Sequence, residues 1–156
     1  MNGMGNPTAT KQDTASPSAP VVQRSVFGWI IALLNGLAAI NSTVVFLVVL
    51  RTGVTGWLMM NSCAPSVILF LIGFLLGSRI LMTAAAVMMF RYGTLGLFVF
   101  SWSGPNIAAQ IGHILMTLAV IYVAVDLVRH RRWRELGLGV ALGVAVLIPY
   151  MDAQGE

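Results

Sequence analysis

The chain has 156 residues, of which 58% are hydrophobic and 9% charged, with a formal net charge of +4. A soluble domain carries roughly 25% charged residues, so this chain has too little charge to coat a water-soluble globule, and it is too apolar to be disordered throughout. Its mean hydropathy of +0.87 points to a polytopic membrane protein.

Residues 1–23 are rich in Asn, Gly, Thr, Ser, Pro and Ala and are expected to form a disordered polar tail. Residues 24–156 are expected to form one transmembrane helical domain. The first span covers about 26–50 and carries no charge. At 1.5 Å per residue it reaches roughly 37 Å, more than a hydrocarbon core of about 30 Å. Leu37-Ala38-Ala39 is a poor cleavage signal, so this run is expected to be a retained helix. Further spans are expected at about 65–90, 105–128 and 136–151, with Arg79 inside the second, Asp126 near the end of the third and Pro149 near the end of the short fourth. The expected fold is thus all-α, a polytopic transmembrane helical bundle of four spans. An alternative of five spans, at about 26–50, 57–77, 80–101, 105–128 and 136–151, places a turn at Gly77-Ser78-Arg79.

The four-span division rests on a recurrence. Arg51, Gly53, Gly56 and Pro65 are matched by Arg91, Gly93, Gly96 and Pro105, at an offset of 40 residues. Arg132 to Gly137 is a weaker echo. The pattern predicts helices that end in Arg and Gly and restart at Pro. The apolar connections, each with a tryptophan (Trp57, Trp102), are expected at the membrane interface.

Arg129, Arg131, Arg132 and Arg134 gather between the last two spans. Next to apolar spans they predict a cytoplasmic loop in contact with anionic lipid, with both termini outside in the four-span arrangement. The nine basic residues show no larger surface or readout element for nucleic acid. The layout, with Arg131-Arg132-Trp133 before a glycine-rich last span, resembles that of small four-helix bacterial membrane proteins. That likeness implies a cytoplasmic (inner) membrane.

Helix packing in lipid needs close backbone contact or polar bonds. Small-residue tracks are expected to supply it: Gly28 and Gly36, Gly73 and Gly77, Gly112, and Gly139 and Gly143. Ionisable and amide groups inside the spans carry the functional signal. Asn106, Gln110, His113 and Thr117 recur at steps of four, three and four, on one helical face. With Asn35, Asn41 and Arg79 they form a candidate polar network or pathway. In the four-span arrangement Arg79 lies near His113 to Thr117, and Asp126 sits about 13 Å farther along, so Arg79 is expected to have no acidic partner at its depth.

His113 is the one histidine placed to ligate a haem or chlorophyll; the other, His130, lies in the basic cluster. The single Cys63 allows no internal disulfide, and no zinc spacing is present. No HExxH, GxSxG, Walker loop or paired-carboxylate motif appears. The leading expectation is therefore a non-enzymatic accessory or structural membrane subunit, without cofactor or metal. It would pack in a homo-oligomer or with other membrane subunits, the bilayer being its solvent. Two alternatives are a small-solute or ion transporter using the polar stripe, and a redox or light-harvesting subunit with a pigment on His113.

Overall fold

The computed structural model describes residues 25–99 and 107–155. The expected polar tail and Asn106 lie outside the described residues, within which every regular element is helical. Helix α1 (Val26–Val44) continues through a π-helical turn (Val45–Val49). Then follow α2 (Gly53–Met60), α3 (Cys63–Leu76) and α4 (Arg79–Met89). A second π turn (Phe90–Thr94) leads into α5 (Leu95–Val99), and α6 (Ile107–Arg129) and α7 (Trp133–Gln154) form the last hairpin. Four stretches are long and apolar enough to cross a membrane: Val26–Val49, Arg79–Leu97, Ile107–Arg129 and Trp133–Gln154. The pair α2 and α3, bent by 87°, brings the count to five if it is one span.

The single helix expected over 65–90 is divided. Gly77 adopts φ +67°, and Ser78 N–H bonds to the Gly73 carbonyl at 2.8 Å. That six-to-one bond closes α3 in a Schellman motif. Ser78 then caps α4, its Oγ accepting from Leu81 N–H at 3.3 Å. The four-span division runs across this break, whereas the five-span alternative places its turn at Gly77-Ser78-Arg79, where the structure has it. A left-handed φ costs an L-residue about 1–2 kcal/mol. Gly77→Ala is therefore expected to lower the thermal midpoint of the detergent-solubilised protein; an unchanged midpoint would deny this turn its left-handed geometry.

The 40-residue recurrence does not repeat a structure. At its first copy Arg51 and Gly53 have φ +53° and +70°, which ends the first span, and Pro65 sits in the opening turn of α3. Among the described residues of its second copy none has positive φ, and the chain passes Arg91 within the π turn into α5; Pro105 lies outside the described residues. The third echo falls on the α6–α7 hairpin, where Arg132 has φ −89° and it is the preceding Arg131 that takes φ +52°, and Gly137 lies inside α7. Helix α7 is also longer than expected, at 22 residues. Glu135 stands in its first turn, and Pro149 lies within it.

Helix α4 is the hub, packing on α3, α6 and α7. Its run Thr83-Ala84-Ala85-Ala86 is buried, since short side chains let three helices approach one axis. Phe70, Phe74, Met89 and Met116 fill the remaining core. Helix α1 packs on the other side, against α3 and α6. At the end away from the basic loop, α7 is pinned to the α2–α3 corner. Tyr150 Oη donates to the Leu58 carbonyl, and Gln154 Nε2 donates to Met59 O at 2.8 Å and Ser62 Oγ at 2.9 Å.

Candidate functional site

Arg79, Asp126, His130, Arg132 and Glu135 gather at one end of the bundle. Because α4 starts at Arg79, its guanidinium lies at a helix end beside the α6–α7 hairpin, not midway along a span. Arg79 Nε donates to Asp126 Oδ2 at 2.7 Å, and Glu135 Oε2 lies 3.9 Å away. This corrects the expectation that Arg79 has no acidic partner in its own chain. His130 Nδ1 stands 3.1 Å from Asp126 Oδ1, and Arg132 Nη2 pairs with Glu135 Oε1 at 3.0 Å. Arg132 thus belongs to the internal cluster, while Arg129, Arg131 and Arg134 are exposed on the hairpin.

The expected polar network is split three ways. Arg79 stands apart in the ionic cluster. Thr117 Oγ1 donates to the His113 carbonyl at 2.9 Å and approaches Thr94 Oγ1 at 3.2 Å, so it faces the second π turn. His113 faces α3, with Nε2 3.6 Å from Cys63 Sγ. Gln110 is half-buried and outside the cavity wall described next.

That cavity, of about 560 Å³, lies between α1, α3 and α6. Ala39, Phe46, Val67 and Met116 give it apolar walls, and Asn35, Asn41, Ser42, Asn61, Cys63 and His113 add polar groups. Asn61 Nδ2 donates to Ser42 Oγ at 2.8 Å, tying α1 to the start of α3. Asn35 is fully buried; its Nδ2 donates to Ile31 O and to Leu115 O, both at 3.0 Å, which joins α1 to α6. Asn35 Oδ1 is buried with no hydrogen-bond partner among the described residues. An unsatisfied buried acceptor costs about 1–3 kcal/mol.

The packing glycines also divide. A Cβ on Gly28 would stand 2.5 Å from Tyr122 Oη, and one on Gly73 would stand 2.8 Å from Met82 N. On Gly143 it would meet Val87 Cβ at 2.8 Å, and on Gly139 it would overlap Thr83 Cβ and lie 2.9 Å from Ile80 O. Gly36 has only ordinary contact with Leu71, at 3.5 Å. Gly77 forms the α3–α4 turn instead of a packing face. Gly112 meets nothing within 4 Å and lines the cavity, which holds α6 away from α1 at that level.

Sequence reasoning missed a second track on α7. Gly137, Ala141 and Ala145 are exposed at four-residue steps, and a Cβ on Gly137 would meet nothing within 4 Å. Counting alanine with glycine would have revealed it. Among the described residues no three His, Cys, Asp or Glu side chains gather as a metal-ligand set.

Long apolar helices packed through small residues and internal polar bonds define a helical integral membrane protein. Compared with protein-family models, curated proteins and solved structures, the chain matches none.

Proposed function

We propose that this chain is a non-enzymatic membrane subunit that pairs with a second copy of itself through the outer face of α7. The observation that carries this reading is the open track Gly137, Ala141 and Ala145, opposite the track that seats α7 on α4. Small residues at four-residue steps let two helix backbones approach closely, and identical tracks are complementary about a two-fold axis. The polar groups support a structural role over a solute path: Arg79 is neutralised by Asp126, and Thr117 is engaged with backbone and with Thr94. The reading includes no cofactor, in keeping with a His113 Nε2 that faces a thiol. We place the protein in a bacterial cytoplasmic (inner) membrane, with Arg129, Arg131 and Arg134 toward anionic headgroups on the cytoplasmic side.

In a Cys63→Ser background, Ala141→Cys is expected to give a disulfide-linked dimer on mild oxidation in native membranes. Leu37→Cys, on the exposed face of α1, is expected to stay monomeric. Gly137→Leu should weaken the dimer roughly tenfold, about 1.4 kcal/mol, in detergent sedimentation. A wild-type monomer in mild detergent with no Ala141→Cys cross-link would overturn the reading.

A further inference from the structure

We infer that the cavity between α1, α3 and α6 binds an apolar, lipid-phase molecule that carries a hydroxyl group, and that Asn35 Oδ1 accepts a hydrogen bond from that hydroxyl. The cavity's volume of about 560 Å³ falls among ligand-sized clefts, and most of its wall is hydrocarbon. An apolar body therefore fits it, and among the polar groups on its wall one buried position is left without a hydrogen-bond partner.

That position is Asn35. Both hydrogens of its amide are committed, one to the Ile31 carbonyl and one to the Leu115 carbonyl. Rotating the amide by half a turn would set its oxygen against those two carbonyl oxygens, so the orientation is determined. Oδ1 is then a buried acceptor with no partner among the described residues. Acceptors bind donors, which selects an O–H over a ketone, an ether or a bare hydrocarbon. Asn35 lies roughly 14 Å along α1 from its first residue, well inside a span, where water is scarce. A donor arriving there is best carried on an apolar molecule.

The wall is shaped for an occupant. The first span ends in the π turn Val45–Val49, and Val45 and Phe46 of that turn line the cavity. On α6, Gly112 presents bare backbone to it, with open space where a Cβ would stand. Ser42 and His113 offer further polar contacts on the same wall. No residue of α7 lines the cavity, so this inference stands independently of pairing through α7.

The test uses the full chain in mild detergent with four probes: decylubiquinol and its oxidised form decylubiquinone, and 1-dodecanol and dodecane. Binding is read as the rise in thermal midpoint with probe concentration and as one probe per chain in native mass spectra. At least one hydroxyl probe is expected to bind roughly tenfold more tightly than its counterpart. Binding of the quinol alone identifies a ring hydroxyl as the ligand group, and binding of both identifies any lipid-phase alcohol. Asn35→Leu should remove the preference. Gly112→Leu, which fills the cavity where nothing obstructs it, should abolish binding while the unliganded midpoint holds or rises. The inference is overturned if neither hydroxyl probe binds, if both members of each pair bind equally, or if Gly112→Leu binds as the wild type does.

Discussion

Asp126→Ala is expected to destabilise the folded bundle by about 3–5 kcal/mol, because it strands a buried guanidinium. The Arg79 side chain is 8% exposed and that of Asp126 14%, so solvent cannot take over the lost partner without the hairpin opening. Among the described residues Glu135, at 3.9 Å, is the nearby carboxylate able to move in, and doing so would draw it from Arg132. Asp126→Ala combined with Glu135→Gln should therefore cost more than the sum of the two single changes, since each removes the other's substitute. Arg79→Met with Asp126→Leu should recover most of the loss, as matched apolar replacement of a buried pair is often near neutral. Thermal unfolding of the purified variants in one detergent checks all four values. Equal midpoints for Asp126→Ala and wild type would show that the pair does not hold the hairpin to α4.

Gly139→Leu is the second large effect. The new Cβ would overlap Thr83 Cβ and press on the Ile80 carbonyl, and a backbone atom cannot move aside as a flexible side chain can. Overpacking a core costs about 1–3 kcal/mol, and this site belongs at the upper end or above it, because α7 must shift as a body. Hydrogen exchange in α7 should accelerate, and the Tyr92–Tyr150 edge contact, with centroids 6.0 Å apart, should be lost. Gly137→Leu, two residues earlier on the open face, should leave the thermal midpoint of the monomer unchanged. If the two variants behave alike, the α4–α7 interface is not the one described.

Much of the fold was legible because crossing hydrocarbon is a demand on local composition. Twenty or so residues without charge suffice to mark a span, and the runs at 26–50 and 105–125 meet that condition wherever they pack. The glycines at 139 and 143 were legible for a similar reason, since a four-residue step defines one helix face. The Gly77 turn was legible only in the five-span alternative, because the sign of one φ is not written in hydropathy and the Arg-Gly recurrence argued for an unbroken 65–90 helix. The recurrence at Arg51 and Arg91 misled for the same reason: like letters took unlike backbone angles.

The candidate site was legible only in fragments. Asn35 and His113 stand out as polar groups in apolar spans, but the cavity they share is a gap between helices, and a gap has no residue of its own to mark it. The second small-residue face of α7 was visible in principle, once alanine is counted beside glycine.

The sequence by itself determined the medium and the all-helical class, because each depends on the chemistry of consecutive residues. The tertiary structure alone decided that α4 is the hub, that Arg79 meets Asp126 and that Gly112 faces a cavity. Those outcomes depend on contacts between residues far apart in the chain. The left-handed Gly77 contributes to the second of them, by placing Arg79 at the start of a helix and not in the middle of a span.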